Sequence, residues 1–160
     1  MDSGDLATYQ NSGYTTSADK KSMVLHLDSM STGTTFNVTL TEPFIIDKPC
    51  DVYLDNFTTH NALANTLPDQ MGFIVTIDQL TVQSGGNDKT FQRIVVPNEA
   101  ATASTLTRVH KGRKMNYISY EYPQTLRNIS GTITNLPGTG TMGASGDFKV
   151  LMELIFVYRK

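Results

Sequence analysis

Only one cysteine, Cys50, occurs among the 160 residues, so no disulfide can form within the chain and no structural zinc site can be built on several thiolates. That usage fits a reducing compartment. Charge is sparse as well: Lys, Arg, Asp and Glu make up 18 % of the chain, with a net charge of −2 and a pI near 5.8. A balance so close to neutral excludes a global electrostatic drive toward nucleic acid or an anionic membrane. No segment approaches the ~20 apolar residues of a membrane helix, so membrane insertion is not expected. The acids in Met1-Asp2-Ser3-Gly4-Asp5 stand where a secretory leader would carry basic residues, and the chain is expected to be soluble and unprocessed.

Reactive constellations are missing too. His26, His60 and His110 are scattered, without the H-x-H or H-x-x-x-H spacing of a metal site, and no carboxylate pairing recurs. No catalytic residue, cofactor or metal is therefore expected, and the chain reads as a non-enzyme. Gly138-Thr139-Gly140-Thr141-Met142-Gly143 has the letters of a dinucleotide fingerprint. That motif needs a helix after it to receive a phosphate; here a strand follows, and the segment reads as a flexible Gly-rich loop. Asp28, Asp51 and Asp55 alternate outward on strands, as edge protection rather than calcium ligands. Three glycosylation sequons, at Asn37, Asn56 and Asn128, lie within strand patterns without an export signal and read as chance.

What the chain does contain is period-two alternation. From Phe148 to Arg159, Phe148, Val150, Met152, Leu154, Phe156 and Tyr158 share one face, while Leu151, Ile155 and Val157 make much of the other apolar. Such a strand belongs in the middle of a sheet. Ser22–Ser29 reads as a first strand with Leu25 and Leu27 inward, and Thr34–Leu40 follows with Phe36, Val38 and Leu40 alternating. Pro43 and Pro49 confine Phe44–Asp47 to an edge or corner. Cys50–Thr58 carries Cys50, Val52 and Leu54 on one face, which makes Cys50 a small buried hydrophobe rather than a nucleophile.

The rest of the chain continues in kind. Met71–Gln83 changes phase after Ile77, predicting a bulge near Asp78 and Gln79. Ser84–Asp88 supplies a hairpin turn into Thr90–Val96. Pro97–Lys114 loses alternation and reads as a loop containing the basic cluster Arg108, Lys111, Arg113 and Lys114; it shows no aromatic stacking platform or recognised nucleic-acid module. Met115–Tyr122 and Leu126–Asn135 complete the series. The expected fold is all-β: one domain over 22–160, a β-sandwich or jelly roll of about eight antiparallel strands, preceded by a flexible polar N-terminal arm over 1–21.

In that series, Leu25-His26-Leu27-Asp28-Ser29, Phe36-Asn37-Val38-Thr39-Leu40, Val52-Tyr53-Leu54-Asp55-Asn56-Phe57 and Leu154-Ile155-Phe156-Val157-Tyr158-Arg159 resemble the single jelly-roll penton or minor capsid proteins of large icosahedral double-stranded DNA viruses, the giant viruses of algae and protists. The resemblance covers about Ser22–Lys160 and is a texture of strands, not a strict motif. It implies two four-stranded sheets and a pentamer that closes a capsid vertex beside neighbouring major and minor capsid proteins. It also implies a virion location, with assembly in the host cytoplasm. No catalytic residues come with it.

Cyclic closure needs a different contact surface on each flank. Residues expected to line those flanks are Tyr53, Tyr117, Tyr120 and the basic residues Arg108, Lys111, Arg113 and Lys114, since aromatics and Arg are common interface anchors. Tyr9 and Tyr14 would anchor the arm, and Phe57 is either flank or core. The competing expectation is a ligand- or carbohydrate-binding β-sandwich module on a virion or cell surface.

Overall fold

The computed structural model describes residues 20–28, 30, 34–80, 93–99, 107–110, 116–143 and 148–159. Among them, nine strands form two antiparallel sheets that close on one core. The strands are β1 (Lys20–Leu27), β2 (Thr35–Ile46), β3 (Cys50–His60), β4 (Gly72–Ile77), β5 (Ile94–Pro97), β6 (Thr107–Val109), β7 (Asn116–Glu121), β8 (Gln124–Thr134) and β9 (Lys149–Tyr158). One sheet runs β1-β9-β3-β6, with β7 pairing β3 beyond the end of β6; the other runs β2-β8-β4-β5. We call them sheets A and B.

β9 is interior to its sheet, flanked by β1 and by β3 along nearly its whole length. Its alternation explains the position: Phe148, Val150, Met152, Leu154 and Phe156 are all buried and meet Leu25, Ile129, Ile133 and Phe73 in the common core. Cys50 is among the buried residues, as its strand phase predicts, and so is Phe57, which stacks on Phe73 at 5.1 Å and belongs to the core rather than a flank. At one end of the sandwich Lys21 donates to the Ile45 carbonyl at 3.0 Å and lies over the rings of Tyr158 and Phe44. Its stem covers apolar edge while its ammonium stays wet.

Several boundaries differ from the sequence expectations for stated physical reasons. β1 begins at Lys20, so Lys20 and Lys21, assigned above to the arm, pair with Val157 and Phe156 of β9; the remaining arm residues, Met1–Asp19, lie outside the described residues. Pro43 does not split β2. The ladder to β8 skips between Thr39 and Phe44 and resumes, which sets the proline where no ladder hydrogen bond is needed. The phase change after Ile77 is a strand end, not a bulge within a strand: Gln79 accepts from the Ser130 N–H through Oε1 and donates to its hydroxyl, and Asp78 accepts from that hydroxyl at 2.7 Å. The turn's side chains thus add to the last backbone bond to β8, from the Asp78 N–H to the Ser130 carbonyl at 2.9 Å. The expected hairpin turn at Ser84–Asp88 lies outside the described residues.

Part of the stretch read as a loop is strand. Thr107–Val109 pairs with Thr58–His60, and the His110 N–H donates to the Phe57 carbonyl at 3.0 Å. β7 pairs with Cys50–Leu54 on the same edge of β3, so β6 and β7 line successive parts of one edge. The Gly-rich connection is held, not loose, where it is described. Asn135 accepts from the Gly140 and Thr139 N–H groups through its side chain, the Gly138 N–H donates to the Asn135 carbonyl, and Gly138 takes a positive φ of 80° that suits glycine.

Gly131 of β8 marks the tightest approach. A Cβ built there would lie 1.9 Å from the Thr76 carbonyl oxygen and 2.9 Å from the Phe36 ring. The obstacle is backbone and cannot swing aside, so Gly131→Ala is expected to lower stability by about 2 kcal/mol or more. Urea unfolding of the two proteins measures it; equal midpoints would refute this packing.

Candidate interaction surface

Side chains that alternate away from the core form the outer face of sheet A. An antiparallel sheet with one solvated face normally carries polar residues there, yet half of this face is aromatic and aliphatic. The register explains the grouping: Ile155 of β9 stands beside Tyr53 of β3, which stands beside Tyr117 of β7, and in the next row Val157, Asp51 and Tyr120 follow one another. Tyr53 and Tyr117 meet edge-to-face with centroids 5.8 Å apart, and Tyr120 and Tyr122 do the same at 5.2 Å. Tyr117 and Tyr122 remain 50 % and 69 % exposed, large apolar areas left facing solvent.

An ion pair braces this half. Arg159 donates from Nε and Nη2 to the two oxygens of Asp51, at 3.0 and 2.8 Å, and its guanidinium lies 4.6 Å from the centre of the Tyr120 ring. The bidentate fork and the stacking are both geometries that suit Arg and not Lys. Asp51 raises the Arg159 pKa, first through this hydrogen bond and then through its charge. The Tyr117 phenol is also raised, first by burial and then by Asp51. The patch thus holds its charged groups already paired, with aromatic surface around them.

The upper half of the same face is different. His26, Thr58, Thr59, His60, Thr107, Lys149, Val150 and Leu151 line an open groove of about 340 Å³, His26 pairs with Asp28 at 3.0 Å, and His60 Nδ1 meets Thr107 Oγ1 at 3.3 Å. Among the described residues no group of three or more His, Cys, Asp or Glu is arranged to hold a metal ion. The Cys50 thiol is pushed up to about 11, first by burial and then by Glu121, Asp51 and Asp47, so it is protonated and inert near neutrality.

Of the residues proposed from the sequence, Tyr53, Tyr117 and Tyr120 come together on one surface. Arg108 does not join them: it sits on β6, opposite Thr59, with a buried Nε that has no hydrogen-bond partner. Lys111, Arg113, Lys114, Tyr9 and Tyr14 lie outside the described residues. Sequence reasoning missed Tyr122, Asp51 and Arg159. Tyr122 shares parity with Tyr120, which was a usable signal; the Asp51–Arg159 fork joins residues 108 positions apart and left none.

His110, read from the sequence only as one of three scattered histidines, is a core residue. It is 3 % exposed, packs against Phe73 at 4.7 Å and Phe57 at 5.9 Å, shares a 2.6 Å hydrogen bond with Thr59 Oγ1 through Nε2, and accepts at Nδ1 from the Glu99 N–H. Burial, and secondarily the Arg108 charge, lower its pKa to about 4 against partial opposition from Glu99 and the Pro97 carbonyl.

No protein-family model matches the chain, and no curated protein matches it significantly.

The buried imidazole makes stability depend on pH. Above pH 6.5 His110 is neutral in both the folded and unfolded chain and contributes no pH dependence. Between pH 6.5 and about 4 only the unfolded chain takes up the proton, so stability falls as pH falls, by up to about 3 kcal/mol. Urea unfolding at pH 7 and pH 4.5 is expected to show a smaller loss for His110→Gln than for the unmodified chain; equal losses would show that His110 is not the group responsible.

Proposed function

We propose that this chain is a structural virion protein, a single jelly-roll capsid subunit that assembles with copies of itself into a ring, in the manner of a five-fold vertex. The observation that carries the reading is the pairing order. With β6 and β7 counted as one interrupted strand, the first strand pairs with the last (β1 with β9), the second with the second-last (β2 with β8), the third with the third-last (β3 with β6 and β7) and the fourth with the fifth (β4 with β5). The contacts of β9 with β3 and of β8 with β4 then join these pairs into two four-stranded layers. That order supports the jelly roll, the fold expected when an antiparallel ribbon is wound over itself into two Greek keys.

A sandwich of this kind is a rigid block whose outer faces are free to tile. The Tyr53–Tyr117–Tyr120–Tyr122 surface supports a protein contact: tyrosines and an arginine are concentrated there, and the charge at its centre is already neutralised by Asp51. On this reading the protein has no catalytic role and no cofactor. Its partners are its own copies and the neighbouring major and minor capsid proteins, and it resides in the virion after assembly in the host cytoplasm.

Native mass spectrometry of the full chain at micromolar concentration is expected to show a pentamer in exchange with the monomer, and the chain should be recovered in purified particles. A monomer at every concentration, absent from particles, would overturn the proposal. Tyr117→Ser combined with Tyr122→Ser removes exposed aromatic area without touching the core. It is expected to weaken the ring at least about tenfold while leaving the melting temperature unchanged.

A further inference from the structure

The sandwich has four sheet edges among the described strands, and three carry features that discourage pairing with another chain. β5 is only four residues long and ends at Pro97. β6 and β7 are short, three and six residues. β1 carries Lys20, Lys21 and His26. β2 is different. From Thr35 to Thr41 it presents seven residues without a charge, a proline or a glycine, and Glu42 and Pro43 come only afterward.

Among the described residues β2 pairs with β8 on one side only along that stretch. The Ile133 N–H donates to the Thr34 carbonyl at 2.7 Å. Ladder alternation therefore directs the backbone groups of Phe36 and Val38 toward β8 and those of Thr35, Asn37 and Thr39 away from it. The side chains divide as cleanly. Thr35, Asn37, Thr39 and Thr41 are exposed on one face; Phe36, Val38 and Leu40 turn to the other, where Val38 and Leu40 are only partly covered. Beside them a groove of about 390 Å³ opens between β1 and β2, with Leu27, Met30, Phe36 and Val38 in its lining.

We propose that β2 pairs with β2 of a second copy, antiparallel about a two-fold axis at Val38. The strand itself names this occupant, because Thr-Phe-Asn-Val-Thr-Leu-Thr has the same order of polar and apolar residues read from either end. In that register Phe36 faces Leu40 of the other copy, Asn37 faces Thr39, Thr35 faces Thr41, and Val38 meets itself. Apolar groups oppose apolar, polar oppose polar, and no like charges are brought together. The outward backbone groups of Asn37 and Thr39 exchange the closely spaced hydrogen bonds, which leaves Val38 in the non-hydrogen-bonded pair where side chains approach most closely. This contact is two-fold and isologous, and so is separate from any head-to-tail ring contact.

The test is a cysteine introduced at Val38 in the full chain, followed by mild oxidation and non-reducing electrophoresis. Cys50 is buried, its thiol pushed up to about 11, and gives no background. Val38→Cys is expected to yield a covalent dimer whether or not rings form. Thr41→Cys is expected to yield none, because its two copies would lie about 20 Å apart in this register. A second variant, Asn37→Pro, removes a backbone donor that points away from β8 and so spares the β2–β8 ladder. Sedimentation should show at least tenfold weaker pairing at an unchanged melting temperature. No cross-link at Val38, equal cross-linking at Thr41, or an Asn37→Pro chain that sediments like the original would each overturn the proposal, including the case in which some other segment covers the edge.

Discussion

The pairing of β9 between β1 and β3 is the constraint on which the rest depends. A strand that is apolar on its inner face and half apolar on its outer face cannot lie at an edge without leaving both backbone and side chains unsatisfied. Its two neighbours come from distant parts of the chain, near residues 20–27 and 50–60. Joining them commits the intervening chain to cross to sheet B and return, which is why β2 and β8 face one another on the opposite layer. Contacts so far apart in sequence carry a large loop-closure cost, so the order of assembly is non-local and folding is expected to be slow compared with a helical protein of the same size.

The outer face of sheet A follows from the same arrangement. Because the inner residues of β9 and β3 are fixed by the core, the outer ones are fixed as well, and Ile155, Tyr53 and Tyr117 are brought side by side without any requirement of folding that they be large and apolar. Nothing inside the sandwich explains three adjacent tyrosines on a solvated face. The Asp51–Arg159 fork stacked on Tyr120 adds rigidity to that surface, because the bidentate geometry and the ring contact fix the guanidinium in one orientation.

Where period two ran uninterrupted, as in β9 and in Cys50–Leu54, strand identity, burial and even interior position were legible in the sequence. Where the ladder slips they were not. β3 changes phase because its register to β9 shifts between Leu54 and Asn56, which turns Phe57 and Thr59 inward after Leu54; from the sequence alone Phe57 stayed ambiguous. β7 shifts between Tyr117 and Ser119, which buries Ile118 and Ser119 in succession. The three residues of β6 are too short for any periodicity, and their strand character comes wholly from β3 beside them. Of the candidate surface, the three tyrosines could be named from residue type, but their meeting is a product of cross-strand register and the arginine that braces them is a product of tertiary structure.

The division of one sheet edge into β6 and β7 has a consequence for how this protein can diversify. Both pieces are anchored independently on β3, through Thr58–His60 and through Cys50–Leu54, so a change in the sequence between them need not drag the register of either piece. Because closure entropy rises only slowly with the length of a connection, residues can be inserted between these two fixed strands while the double-layered core is left as it is.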